Sequence, residues 1–361
     1  MKYYIIAGEA SGDLHGSNLI KELKLQDSAA DFRCWGGDLM EQQGAKIVKH
    51  YRDLAFMGFW EVLFNIFTIL KNISFCKKDL LQYKPDVLIL IDYPGFNIRI
   101  AKFAKKHDLR VFYYISPQIW AWHQSRSEVL KKIVDKMFVI LPFEKEFYKK
   151  FDFEVDFVGH PLLDAMEGIE TTVEEREVIA LLPGSRNQEI FRMLPVMVEV
   201  AKQFPERKFV VAGTSSADSS AYDSCAGVAN IQLEYGKTYA LLNRAKAALV
   251  TSGTATLEAA LFNVPEVVCY KGGFISYMIA KWVIKTKYIS LVNLIMDKPV
   301  VAELIQSNFE PGQLKSELEE ILNEGKRRSD MLNDFSELRS KLGGAGASRN
   351  TAQLMIKYLS E

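Results

Sequence analysis

Short tracts without a single charge recur along this chain and restrict its fold more than any other feature. Val87-Leu88-Ile89-Leu90-Ile91 and Val111-Phe112-Tyr113-Tyr114-Ile115 lie in the first half; Val178-Ile179-Ala180-Leu181-Leu182 and Ala247-Ala248-Leu249-Val250 lie in the second. A strand with one wet face alternates polar and apolar residues. An unbroken apolar run needs cover on both faces, which helices on either side of a parallel sheet provide. Helical patterns do lie between the tracts, as at Leu14–Leu25 and Ile98–His107, and further strands are expected at Tyr3–Ala7, Met137–Leu141 and Val155–Val158. Strand and helix in alternation predict parallel α/β layers. At 361 residues the chain is too long for one ordinary core. The alternation restarts at Val178, after the polar, acidic stretch Gly168–Glu177, which reads as a linker. Two doubly wound domains facing each other across a cleft are therefore expected, at 1–168 and 177–342. A charged helical tail begins at Pro311 and breaks at Gly343-Gly344-Ala345-Gly346. Its last helix, about 346–361, is expected to pack back on the first domain or on a partner.

Composition excludes several function classes. Lys+Arg and Asp+Glu are both 45, so nothing points to nucleic acid. The four cysteines are scattered without any C-x-x-C, which predicts neither a disulfide framework nor a zinc site and fits a reducing compartment. The apolar residues before Gly8 are too few for the core of a signal peptide, so a cytoplasmic protein is expected. Asp152-Phe153-Glu154-Val155-Asp156 resembles an acidic metal cluster, but its period of two is that of a strand with one wet face. The five histidines show no ligand spacing, and His160 reads as an interdomain hydrogen-bonder. No metal is expected, and no cofactor.

Chemistry concentrates in two loops of the second half. Pro183-Gly184-Ser185-Arg186 and Ser252-Gly253-Thr254-Ala255-Thr256-Leu257-Glu258 each follow a buried strand and precede a helix. Small residues there expose backbone N–H groups at the positive end of a helix dipole, a geometry suited to phosphate. Arg186 adds a cation able to grip phosphate oxygens in bidentate fashion. Glu258, four residues past Thr254, faces back toward its loop, where a carboxylate can accept two ribose hydroxyls. Ser185 and Gln188 also form a capping box, S-x-x-Q, which needs no ligand. Finding both loops with Arg and Glu correctly offset favours a nucleotide site over plain turn chemistry.

In the first half, Gly8-Glu9-Ala10-Ser11-Gly12-Asp13 follows the first strand. It is neither G-x-G-x-x-G nor a Walker A loop. Glu9, Ser11, Gly12 and Asp13 still sit where open α/β sheets bind ligands; alternatively, Asp13 only N-caps the helix that follows. Asp92 ends the strand Val87–Ile91 before the turn Tyr93-Pro94-Gly95. A carboxylate held at a partly desolvated strand end can act as general base; the commoner reading is an Asp that organises its own turn.

Leu54–Phe75 holds five phenylalanines and Trp60. As a helix it places Phe56, Phe59, Trp60, Leu63, Phe67 and Leu70 on one face. A span needs roughly 20 apolar residues, and Glu61, Asn65 and Lys71 interrupt this one. With Lys49, Arg52, Lys77 and Lys78 flanking it, the segment reads as an interfacial helix on anionic headgroups. Phe274–Lys287 is a weaker case, read as a core or dimer helix.

Seven motifs in order then carry a family resemblance: AGEASGD (Ala7–Asp13), LIDYPGFN (Leu90–Asn97), YYISPQIWAW (Tyr113–Trp122), LPFEKEFY (Leu141–Tyr148), FVGHP (Phe157–Pro161), LLPGSR (Leu181–Arg186) and TSGTATLEAA (Thr251–Ala260). Together they resemble the lipid-A-disaccharide synthase family, glycosyltransferases of Gram-negative envelope synthesis. The resemblance implies a GT-B fold of two Rossmann-like domains. It also implies metal-independent, inverting transfer from UDP-2,3-diacylglucosamine to 2,3-diacylglucosamine 1-phosphate, releasing UDP. The family's proposed base maps onto Asp92, its UDP-contacting arginine onto Arg186, and the ribose-binding acid of related enzymes onto Glu258. Asn293 maps near the nucleotide, and the chain departs beside it, with Val292 where relatives often carry proline. A homodimer with swapped C-terminal segments and a peripheral place on the inner face of the inner membrane are implied too. The rival readings are a UDP-sugar 2-epimerase on the same fold, with no need of the Leu54–Phe75 patch, and a membrane-surface nucleotide sensor, with no use for Asp92.

Overall fold

The computed structural model describes residues 1–54, 66–122, 124–167, 169, 176–273 and 286–361. The chain divides into two units. The first comprises Met1–Glu167 together with Leu342–Glu361, the second Gly168–Lys341.

The first unit is built on seven parallel strands: β1 (Lys2–Ala7), β2 (Asp31–Gly36), β3 (Lys46–His50), β4 (Val87–Ile91), β5 (Arg110–Tyr114), β6 (Lys136–Val139) and β7 (Asp156–Phe157). They lie in the order β3-β2-β1-β4-β5-β6-β7. The uncharged tracts take the centre: Ile5 pairs with Ile89 and Ile89 with Phe112, all fully buried. Two strands of this unit escaped the sequence reading. β2 and β3 carry Asp31, Arg33, Lys46, Lys49 and His50, and β3 lies at the sheet edge, where no apolar run is required. The acidic segment at Asp152–Asp156 buries Phe153 and Val155 between exposed Asp152 and Glu154, but only Asp156 enters a strand.

The order of the sheet turns at one place. From β1 the chain winds outward to β2 and β3; from β4 it winds the other way to β5, β6 and β7. The loops leaving β1 and β4 therefore diverge, and the gap at their C-terminal ends is where such sheets bind ligands.

The second unit repeats the plan with β8 (Val178–Leu182), β9 (Lys208–Gly213), β10 (Ile231–Tyr235), β11 (Ala245–Thr251), β12 (Glu266–Tyr270) and β13 (Ala302–Ile305), in the order β10-β9-β8-β11-β12-β13. Its winding reverses between β8 and β11, the two strands that precede the phosphate-suited loops.

The tail forms the helices Pro311–Leu322 and Lys326–Lys341 in the second unit, then Ala347–Ser360 in the first. That last helix lies on the helix Ala10–Gln26, with Ala352 and Met355 buried among Leu19, Ile20 and Leu23. The seat is thus filled by the chain's own helix. Among the described residues no helix is long and apolar enough to cross a membrane.

Candidate active site

At the first unit's divergence point, Glu9 and Asp92 follow adjacent strands. Asp92 and Tyr93 both take left-handed backbone angles, φ 43° and 49°. Gly8 makes room for this turn, because a Cβ there would lie 2.3 Å from the Tyr93 ring. The Asp92 carbonyl accepts the Tyr113 hydroxyl at 2.6 Å and Asn97 Nδ2 at 2.7 Å, while Asn97 Nδ2 also reaches the Ile91 carbonyl at 3.3 Å. Burial pushes the Asp92 carboxyl up to about 6, the Glu9 charge adds to the rise, and the Tyr93 N–H opposes it. Asp92 thus both organises its turn and stands as a carboxylate tuned toward neutral pH.

The rest of the first loop divides. Ser11 is exposed and Gly12 buried. Asp13 is 2% exposed, and its carboxylate accepts the N–H groups of Gly37 (2.7 Å), Leu39 (3.1 Å) and Met40 (3.2 Å). Asp13 does not cap the helix that follows it, as the ligand-free alternative expected. It lies inside Ala10–Gln26 and caps the short helix Asp38–Gln42 instead, since the loop after β2 comes back beside β1. The described bonds of His160 stay within its own unit and do not bridge domains. Its Nδ1 accepts from Leu162 N at 3.2 Å, and its N–H donates to the Leu342 carbonyl at 3.2 Å. A buried carboxylate that the sequence did not single out, Glu144, braces the loops after β5 and β6. It accepts the Ser116 hydroxyl and the N–H groups of Ile140 (3.2 Å) and Leu141 (2.9 Å), and burial pushes it up to about 7.

In the second unit, Gly184 has φ 111°, which turns the chain sharply after β8. The helix consequently begins at Asn187 with Arg186 as N-cap, and the Ser185/Gln188 capping box does not form. Glu189 takes over: its Oε2 accepts the Ser185 N–H at 3.1 Å and its Oε1 meets the Arg186 guanidinium at 3.2 Å. Gly184 is also required here, because a Cβ would lie 2.5 Å from Glu189 Oε2. A carboxylate therefore rests on the donors that suit a phosphate.

After β11, Gly253 and Thr254 are exposed and Ala255 half-buried at the start of the helix Thr254–Leu261. Ser252 Oγ donates to the Ile289 carbonyl at 3.0 Å, and Thr256 Oγ1, fully buried, donates to the Gly253 carbonyl at 2.8 Å. The hydroxyls thus shape the loop, and the exposed backbone is left to meet a ligand. Burial raises the Glu258 carboxyl, and the Tyr239 hydroxyl donates to it at a long 3.5 Å. Asn293 lies apart from solvent: Nδ2 donates to Val301 O and Glu303 Oε1, both at 2.9 Å, and Oδ1 accepts from Val301 N at 2.9 Å. Its side chain is committed to joining the helix Leu291–Met296 to β13. Val292 lies in the first turn of that helix, where proline would lose no intrahelical bond.

Of the apolar face, Phe56, Phe59, Trp60 and Leu63 lie outside the described residues, as does most of Phe274–Lys287. Phe67 is 82% exposed, and with Leu70 and Phe75 it forms a stripe along the helix Ile66–Tyr83, interleaved with Lys71 and Lys78.

Comparison with known proteins converges with this geometry. Solved structures similar over nearly the whole chain include UDP-GlcNAc 2-epimerase of Neisseria meningitidis bound to UDP-GlcNAc (TM-score 0.67, 14% identity, 99% of this chain and 100% of that one). Another is the glycotransferase of kitacinnamycin (TM-score 0.68, 14% identity, 99% and 98%). At such identity these share the GT-B fold of two Rossmann-like units and nothing more. Sequence relatives go further. The chain is 38% identical to lipid-A-disaccharide synthase of Syntrophus aciditrophicus over 99% of its length and 97% of that protein, and 36% identical to that of Myxococcus xanthus over 98% and 97%. The family model described as lipid-A-disaccharide synthetase matches residues 3–357. The chain belongs to the lipid-A-disaccharide synthetase family.

Proposed function

We propose that this glycosyltransferase of lipid A biosynthesis joins UDP-2,3-diacylglucosamine to 2,3-diacylglucosamine 1-phosphate, without a metal and with inversion, releasing UDP. The observations that support the reading lie at the two divergence points: a partly desolvated carboxylate, Asp92, in the first unit, and two strand–loop–helix turns of a geometry suited to phosphate in the second. Domains 1–168 and 177–342 would then serve the acceptor and the UDP-sugar respectively.

Asp92 takes the proton of the acceptor's 6-hydroxyl as the new bond forms at the anomeric carbon. The diphosphate gains charge as it leaves. Arg186 and the N–H groups of Gly184, Ser185, Gly253, Thr254 and Ala255 stabilise that charge more in the transition state than in the ground state, while Thr256 braces the loop through its own bonds to the Gly253 carbonyl. Glu258 accepts the ribose hydroxyls, with Ser252 and Asn293 keeping the surrounding loops in place. Glu9, Ser11 and Gly12 line the acceptor side, and Asp13 supports them from below through its cap. The Phe67 stripe meets the inner membrane surface from which the acylated substrates come; Phe56, Phe59, Trp60 and Leu63, outside the described residues, are assigned to the same contact from their sequence pattern alone. In a homodimer with exchanged tails, a second copy's last helix would take the seat this chain's own helix fills.

Asp92→Asn tests the reading. The carboxamide keeps the shape but accepts no proton, so transfer falls by roughly a thousandfold while UDP affinity stays near wild type. Transfer at the wild-type rate in this variant would remove Asp92 from the chemistry. Because the base acts deprotonated, the wild-type rate rises with pH through about 6, the value to which burial lifts the carboxyl.

A further inference from the structure

We infer that Tyr113 and Asn97 are positioning residues for Asp92, holding its backbone in a left-handed turn and so fixing where its carboxylate stands. The inference rests on the reading of Asp92 as the base.

The left-handed region suits glycine, and side chains resist it. Here two consecutive residues with side chains occupy it, Asp92 and Tyr93. Such a conformation persists only where its surroundings over-determine it. The surroundings are visible. Asp92 N donates to the Tyr114 carbonyl at 3.3 Å, the last rung of the β4–β5 ladder. Beyond it the chain turns, and the Asp92 carbonyl leaves the ladder without a strand partner. A carbonyl in that position needs donors, and it has two at short range: the Tyr113 hydroxyl at 2.6 Å and Asn97 Nδ2 at 2.7 Å. The Asn97 backbone N–H closes the same turn on the Tyr93 carbonyl at 3.0 Å. Asn97 therefore grips the turn through both its main chain and its side chain.

Tyr113 and Asn97 are both fully buried, so neither can touch a substrate. A fold that needed only the turn would place glycine there and spare itself two buried polar side chains. Keeping Asp92 and its clamp makes sense if the position of that carboxylate matters. Among the described residues, the titratable groups around Asp92 are Glu9 from the loop after β1, Tyr93 beside it in the turn, and Tyr113 from β5. None is a cation that would anchor the carboxylate directly, which leaves the backbone clamp to do so.

Tyr113→Phe removes one oxygen and keeps the buried ring. In the full-length protein, kcat for transfer is expected to fall roughly 10- to 100-fold, the cost of misplacing a reacting group by about an ångström. KM and UDP affinity stay close to wild type, as for a residue acting in the chemical step alone. The acidic limb of the kcat–pH profile moves to lower pH, because a released carboxylate regains water. Asn97→Ser gives the same pattern. An unchanged kcat and limb would overturn the inference. So would a kcat loss that follows a drop in melting temperature with the limb unmoved, or a failure of both variants to fold. Retention of transfer by Asp92→Asn is a separate result, which sinks the base reading itself.

Discussion

Glu266 opens β12 fully buried, and neither of its carboxylate oxygens has a hydrogen-bond partner among the described residues. Burial pushes its pKa well above the ordinary glutamate range, so folding favours the neutral form. The sign follows from linkage. The unfolded chain releases this proton near pH 4.5 and the folded one only at higher pH, so stability is full below that value and declines as pH rises toward the folded pKa. Glu266→Met is expected to raise the melting temperature on the order of 5 °C at pH 7, with a gain that shrinks toward pH 4; scanning calorimetry across that range checks it. Glu189 is a second acid whose effect can be measured. Its carboxylate occupies Ser185 N–H and Arg186, so a diphosphate must displace it. Glu189→Gln is expected to tighten UDP binding roughly three- to tenfold by calorimetric titration, while uridine, which carries no phosphate, binds unchanged. Asp92 could be singled out from its place at the end of an uncharged strand. Tyr113, Asn97 and Glu189 could not, because their roles depend on contacts that local spacing does not encode.

At the scale of elements, β4 was predicted at its observed bounds because five uncharged residues leave no ambiguity of face. β2 and β3 were not, since their charges match no apolar template. The capping box failed for a local reason: Gly184 turns left-handed and moves the helix start past Ser185. The last helix was foreseen at about 346–361 and runs Ala347–Ser360, its start fixed by a residue far away in sequence. Asp164 accepts the N–H groups of Gly346 (2.6 Å), Ala347 (3.0 Å) and Ser348 (2.8 Å), and so caps a helix that begins over 180 residues later. Asp164→Ala should free that end: amide exchange over 347–360 rises roughly tenfold, with exchange in the second unit unaffected. Equal acceleration in both units would mean that the cap acts on global stability instead.

At the scale of the whole molecule, the two phosphate-suited loops and Asp92 all fall at points where a sheet reverses its winding. The loops were readable from strand–loop–helix order. Their shared place next to the reversal was not, because strand order is a property of the assembled sheet. The exposed stripe on Ile66–Tyr83 bears on how the entire protein distributes. Replacing Phe67, Leu70 and Phe75 together by serine is expected to cut sedimentation with anionic vesicles roughly tenfold or more while the melting temperature holds. A collapse of the melting temperature would show that this face is needed for folding. The return of the last helix to the first unit has its own consequence. Leu19, Ile20 and Leu23 wait for Ala352 and Met355, which the ribosome delivers only after the whole second unit. The second unit is one continuous stretch and can be finished while the opening residues still lack their closing piece. Synthesis then completes these two units out of order, with the first begun before the second and sealed after it.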